Sequence, residues 1–196
     1  MEKSRRPTRR HVIAALALTP AAVLATRPSA AQQPPTPQCA EPGDATPSQI
    51  AGPYYKPEAP LRRDLRASGG AGEPMDLAGR VLDVRCRPLE GAVVEIWHAD
   101  PQGRYDNQGF RLRGHQLADA EGYWAFDTLV TRHYAQRTAH YHFRVRHPGY
   151  RVLTTQLYFP DYPRNASDRM FDPRLVMRLA RGTAHRSGSF DFVLRS

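Results

Sequence analysis

Short runs rich in β-branched and aromatic residues, each closed by glycine or proline, set the tightest limit on what this chain can fold into. They lie at residues 80–84, 92–97, 123–126, 139–145, 152–159 and 190–194. The turn-forming stretches Arg87-Pro88-Leu89-Glu90-Gly91, Pro101-Gln102-Gly103, Glu121-Gly122 and Pro148-Gly149 separate them. Glycine and proline end a strand because one favours positive φ and the other cannot donate to a ladder. No long stretch carries a helical period, and no internal repeat is present. The pattern predicts an all-β fold, a β-sandwich of mostly antiparallel short strands with long loops. Residues 160–176 are expected as a long surface loop, with a helical turn near 166–171.

The first 48 residues differ in texture from the rest of the chain. Residues 1–31 have a basic start, an apolar run from Val12 to Ala25 broken by Thr19 and Pro20, and small residues at Ser29 and Ala31. This is the layout of a secretory signal peptide, and Arg9-Arg10 followed by His11-Val12-Ile13 fits a twin-arginine export signal. A periplasmic or secreted location follows as an expectation. The apolar run is too short and too weakly apolar for a comfortable membrane span, although an uncleaved anchor is the alternative reading. Residues 32–48 are Pro-rich and polar, as in an extended linker. The catalytic or binding domain is then expected at residues 49–196.

Charge narrows the choice of partners. The formal net charge is +9, but residues 1–31 hold +5 of it, leaving +4 for the remainder. The remaining arginines alternate with acids and form no basic tract, which excludes nucleic acid as the expected partner. The two cysteines, Cys39 and Cys86, suggest one disulfide in an oxidising compartment. It would close a loop of about 47 residues, worth roughly 4 kcal/mol on the chain-entropy model. Two free buried thiols are the alternative.

Metal-capable side chains are densest in Tyr134-Ala-Gln-Arg137-Thr-Ala-His140-Tyr-His142. Alternate residues of a strand share a face, so His140 and His142 project together, with Cα atoms about 7 Å apart. That suits two imidazoles on one ion. A His-x-His pair alone also fits an ordinary strand with one buried and one surface histidine.

Taken in order, Gly52-Pro-Tyr-Tyr55, Gly79-Arg-Val-Leu-Asp-Val84, Gly91-Ala-Val-Val-Glu-Ile-Trp-His-Ala-Asp100, Gly103-Arg-Tyr105 and Tyr134-x-x-Arg137-x-x-His140-x-His142 resemble the intradiol ring-cleavage dioxygenases, the catechol and protocatechuate 3,4-dioxygenase group. The resemblance runs from about Thr46 to Leu194. It implies a β-sandwich holding a non-haem Fe(III) cofactor. Tyr105 and Tyr134 would be its tyrosinate ligands, and His140 and His142 its neutral nitrogen ligands. The implied reaction uses O2 to cleave a catechol-type aromatic ring between its two hydroxylated carbons, giving a cis,cis-muconate-type diacid. Tyr134 would give way to substrate while Tyr105 stays. Arg137, three residues before His140, would stabilise negative charge on the ring, and Gln156 would sit near the reacting centre. Tyr54 and Tyr55 would line the substrate pocket or anchor the leader. Family members are commonly oligomers, so a homo-oligomer is compatible with the resemblance.

The remaining candidates have plainer expected roles. His98 is expected to be structural or to support a ligand, Trp97 to be core, and Asp100 to cap a turn or orient a ligand. His115, His133, His147 and His185 are expected to face solvent. The spacing from Tyr134 to His140 is shorter than in the classical enzymes, so the shape of the pocket does not carry over. Two rivals stand beside this reading. Residues 79–129 also resemble metal-free transthyretin-like or carboxypeptidase-regulatory β-sandwich modules. An iron(II) site of two histidines with Asp100, Asp106 or Glu95 is the other.

Overall fold

The computed structural model describes residues 44–181 and 185–196. In chain order its elements are α1 (Arg66–Gly69), β1 (Pro74–Asp83), β2 (Val93–Trp97), β3 (Arg113–Leu117), β4 (Tyr123–Leu129), β5 (His140–Arg146), β6 (Leu153–Tyr158), β7 (Arg178–Arg181), β8 (Arg186–Ser189) and β9 (Phe192–Leu194). One sheet runs β4-β1-β8-β7, with β9 also pairing to β1; the other runs β3-β2-β5-β6. Two sheets facing each other form the expected sandwich. Most pairings are antiparallel, but β8 and β9 both run parallel to β1, β8 along its first half and β9 along its second.

The core lies between the sheets. Leu77, Val81, Trp124, Phe126 and Phe192 meet Ile96, Tyr141, Phe143, Val145 and Leu157 there, all buried. Strand alternation explains which residues take part. On β5, Tyr141, Phe143 and Val145 point inward, so His140, His142 and Arg144 occupy the outer face. The Tyr141 hydroxyl, buried in this apolar layer, donates to the Leu129 carbonyl at 2.9 Å. Gly79 shows how tightly the layers close: a Cβ there would stand 1.7 Å from the Phe190 carbonyl oxygen. Main chain cannot yield at that distance, so β1 accepts no side chain at this position.

Several elements escaped the sequence pattern. β1 begins at Pro74, earlier than expected, because Met75-Asp-Leu-Ala alternates without a β-branched run. β3, β7 and β8 are basic or built from small residues; their strands are held by neighbours rather than by their own propensity. α1 is a single turn. The 160–176 loop is less superficial than expected. It carries 3-10 turns at Asn165–Ser167 and Pro173–Leu175, and it buries Asp168 and Leu175.

The outer face of β3-β2-β5-β6 is covered by the chain that precedes α1. Gln49 N–H donates to Thr154 O at 2.7 Å on β6, and Arg62 N–H to His115 O at 3.1 Å on β3. Residues 44–48, placed in the linker by composition, are hydrogen-bonded to the sandwich here: Thr46 N–H reaches Val193 O at 3.0 Å, and Thr155 Oγ1 reaches Pro47 O at 2.7 Å. This strap turns an exposed sheet face into a roofed one, which is why polar side chains on it are buried. Cys86 is disulfide-bonded. Cys39, the expected signal peptide and most of the linker lie outside the described residues. No helix among the described residues is long and apolar enough to cross a membrane.

Candidate metal centre

The site lies at one end of the roofed face. Cross-strand register sets His142 opposite Trp97 on β2 and opposite Gln156 on β6, and sets His140 opposite Tyr158. His140 and His142 share a face as their spacing predicts. Their Nε2 atoms are 3.1 Å apart, and both residues are 2% exposed or less. His140 Nδ1 lies 2.7 Å from the Thr138 carbonyl, which can only accept, so Nδ1 carries the proton and Nε2 presents a lone pair. The His142 ring stacks on Trp97, with centroids 4.9 Å apart and planes 5° from parallel. Trp97 is therefore buried as expected, but beneath the site and not between the sheets. Burial, reinforced by the Arg137 charge, lowers the His140 pKa to about 3. Burial and the neighbouring His140 hold His142 well below its ordinary value. Both imidazoles are neutral, as metal ligands must be.

The tyrosines arrive on two loops. Tyr105 follows β2, and Tyr134 follows β4. Gly103, at φ 81°, lets them meet: a Cβ on it would stand 2.6 Å from the His133 carbonyl oxygen. Arg137 N–H donates to Tyr134 O at 2.8 Å, closing a tight turn that sets Tyr134 and Arg137 close together. The rings of Tyr105 and Tyr134 meet edge to face at 5.2 Å, Tyr134 lies 5.7 Å from the His140 ring, and Tyr105 lies 6.2 Å from His142. Burial, with Tyr134 adjacent, raises the Tyr105 pKa; burial also raises that of Tyr134, against the pull of Arg137.

Polar atoms left without partners test whether these residues fit a metal ion. Among the described residues the Tyr105 hydroxyl is buried without a hydrogen bond of normal geometry, and the Nε2 atoms of His140 and His142 point at each other at 3.1 Å. An unpaired buried polar group costs about 1–3 kcal/mol, so such atoms call for an explanation. Two neutral nitrogens and two phenol oxygens on one patch suit a hard, high-charge ion, which favours anionic oxygen and borderline nitrogen donors. Such an ion would also oppose the rise in the phenol pKa values. The donor set fits Fe(III).

Arg137 is anchored rather than free. Its Nε donates to Asp168 at 2.9 Å, and its Nη2 donates to Gln156 Oε1 and lies 3.4 Å from the Tyr158 hydroxyl. Gln156 in turn donates from Nε2 to Ile50 O at 3.1 Å, tying this network to the strap. Asp168 had no signal in the sequence, because the pairing spans a 31-residue separation. Burial alone would raise its pKa. The N–H groups of Met170 and Thr138, with the Arg137 guanidinium, hold it below the usual carboxylate range instead. Tyr54 stacks on Tyr105 at 4.4 Å and 16°, and meets Tyr134 edge-on at 5.7 Å. Tyr55 turns away from the tyrosine pair, onto Trp97 at 4.9 Å, and accepts from Arg144 at 2.6 Å.

The carboxylates of the iron(II) rival are engaged elsewhere. Asp100 accepts from the N–H groups of Gln102 and Arg104, both at 2.9 Å, and so caps its turn. Asp106 accepts from Gly109 N–H at 2.8 Å and Arg111 N–H at 2.9 Å, and Glu95 faces Tyr55. No group of three or more His, Cys, Asp or Glu side chains suited to a metal occurs among the described residues. His98 is structural, with Nε2 2.7 Å from Thr128 Oγ1 and Nδ1 2.8 Å from Ala99 O. The four histidines expected to face solvent are half-buried: His115 contacts Ala59 O at 2.7 Å, His133 contacts the Tyr162 hydroxyl at 2.7 Å, His147 contacts Pro148 O at 2.9 Å, and His185 lies 3.4 Å from Asp76. Only His147 turns back on its own loop; the strap, the 160–176 loop and β1 supply the partners of the other three.

Residues 50–196 match the dioxygenase family, and the chain belongs to it, within the intradiol ring-cleavage group. It is 33% identical over 185 residues to the 6-chlorohydroxyquinol 1,2-dioxygenase of Cupriavidus pinatubonensis, covering 80% of this chain and 64% of that protein. It is 30% identical over 159 residues to the catechol 1,2-dioxygenase of Candida albicans, covering 67% of this chain and 52% of that one. Among solved structures, the dioxygenase domain of a dioxygenase carbohydrate-binding protein fusion from Streptomyces sp. SirexAA-E is 46% identical. Its TM-score is 0.74, and the match covers 77% of this chain and 98% of that one. The chain spans 52 to 64% of the length of the first curated relatives it matches.

Proposed function

We propose that this protein is a non-haem Fe(III) intradiol dioxygenase, opening a catechol-type ring with O2 to a cis,cis-muconate-type diacid. The observation that carries the reading is the convergence of Tyr105, Tyr134, His140 and His142 on one roofed patch, with the two imidazole Nε2 atoms facing each other and the Tyr105 hydroxyl buried without a hydrogen bond of normal geometry among the described residues. Those four residues would hold the metal, which when bound supplies Lewis acidity toward both catechol oxygens. Tyr134, half-buried beside Arg137, is the phenol placed to yield its position to substrate, whereas Tyr105 is pinned under Tyr54. Arg137, held in place by Asp168 and Gln156, offers a fixed positive charge to the ring as negative charge develops on it. Tyr54 walls the pocket, and the strap excludes water from the sheet face.

The visible spectrum of the purified protein tests this. We expect a broad tyrosinate-to-iron(III) absorption that shifts when catechol is added without oxygen, and a muconate-type diacid when oxygen is admitted. A protein that stays colourless after iron loading would return the fold to the metal-free sandwich modules. A semialdehyde product would place the cut outside the diol.

We further propose export by the twin-arginine route, on the strength of Arg9-Arg10 and the apolar run behind them. Replacing both arginines with lysine is expected to retain the protein inside the cell. Unchanged export on fractionation would remove this route.

A further inference from the structure

Arg113 is a full-length arginine 1% exposed, on β3, with no carboxylate in ion-pair contact among the described residues. Its guanidinium is spent on main-chain carbonyls. Nη1 donates to Tyr54 O at 2.7 Å, Nη2 to Asp106 O at 2.9 Å, and Nε to Asp106 O at 3.2 Å. The two acceptors belong to separate segments: Tyr54 is in the strap, and Asp106 is adjacent to Tyr105. The rings carried by those segments, Tyr54 and Tyr105, stack at 4.4 Å. The backbone leading into Arg113 is strained to make this turn, since Leu112 sits at φ 54°, a value a branched side chain rarely adopts. Arg62 fixes the same corner by donating from Nε to Arg113 O at 2.9 Å.

We infer that Arg113 is a positioning residue, a clamp that locks the strap to the Tyr105 loop and thereby sets the Tyr54–Tyr105 stack forming one wall of the site. The inference rests on the proposed site only for the meaning of that wall; the clamp belongs to the chain itself. A planar fork with five donors can hold two carbonyls at fixed separation, and a lysine ammonium cannot reproduce that geometry. The Tyr105 hydroxyl has no hydrogen bond of normal geometry among the described residues to orient it. Ring stacking and its loop must do so, and Arg113 holds both.

The test is hydrogen exchange on the iron-free protein, comparing wild type with Arg113→Lys and Arg113→Met. Amides of residues 54–56 and 105–109 should exchange at least about tenfold faster in both variants, with β5 and β6 unchanged. Exchange that rises uniformly over the molecule, or nowhere, overturns the clamp. Should Arg113→Met fail to fold, Arg113→Lys keeps the charge and supplies the reading. Catechol affinity of the iron-loaded protein gives a second readout. Tyr54→Ala and Arg113→Lys should each weaken it, and the double variant should be no weaker than the poorer single one, because both act through one stack. Independent, multiplying effects would overturn the coupling. A wild-type protein that binds no iron would instead refute the proposed function and leave the exchange result standing.

Discussion

Replacing His142 with alanine should yield a folded protein whose ferric iron affinity falls by more than about 10²-fold and whose ring-cleavage activity is lost. Partners behind metal ligands already cost about 10- to 100-fold when removed, and a direct ligand costs more. Stability without metal should change little, for a reason visible in the site. His142 Nδ1 is a buried polar atom without a partner, and its Nε2 faces another imidazole nitrogen at 3.1 Å. Removing the ring forfeits its stack on Trp97 but also removes that orphaned atom, and the two effects oppose each other. With iron the comparison reverses. At a hundredfold excess over its dissociation constant, a ligand stabilises the native state by about 2.7 kcal/mol, and the variant should lose this increment. Thermal melts of both proteins with and without iron measure it. Equal iron-dependent shifts in the two proteins would remove His142 from the metal set.

Arg137→Leu should keep iron and lose turnover by about 10²-fold or more, the usual effect of deleting one preorganised donor to a developing negative charge. The loss should fall on kcat more than on KM, because the charge it meets grows toward the transition state. The variant also strands Asp168, whose side chain is only 2% exposed. That carboxylate keeps its bonds from Thr138 N–H at 2.8 Å and Met170 N–H at 2.9 Å, so the chain should still fold, though with reduced stability. Asp168→Asn separates the two roles. It leaves the guanidinium but removes the charge that fixes it, and an intermediate loss of turnover is expected. Steady-state kinetics alongside melting curves decide the matter. Unchanged turnover in Arg137→Leu would take this residue out of the mechanism, and unchanged turnover in Asp168→Asn would reduce Asp168 to a structural role.

Much of this protein is legible along the chain because its signals are local. Strands bounded by glycine and proline announce a sandwich, since turns and alternation are properties of a few adjacent residues. His140 and His142 share a face by strand geometry alone, whereas Tyr105, Tyr134 and Arg137 entered through the resemblance to the intradiol family. The strands that went unseen, β3, β7 and β8, lack β propensity of their own; β2 holds β3, β1 holds β8, and β8 holds β7. Ring positions were likewise hidden for His115, His133, His147 and His185, whose partners lie in segments or turns that fold back on them.

Fold class and the shared face of the histidines were thus determined by sequence, because each depends on a few adjacent residues. The tertiary structure decided the rest. It roofed the outer face of one sheet with residues 44–63, so that His140 and His142 there became buried and neutral. It also brought Asp168 to Arg137 and Arg113 to Tyr54 across separations of 31 and 59 residues. Such contacts leave no periodic trace, because nothing about an aspartate in a loop or an arginine on a strand reveals what the closed sandwich will set against it.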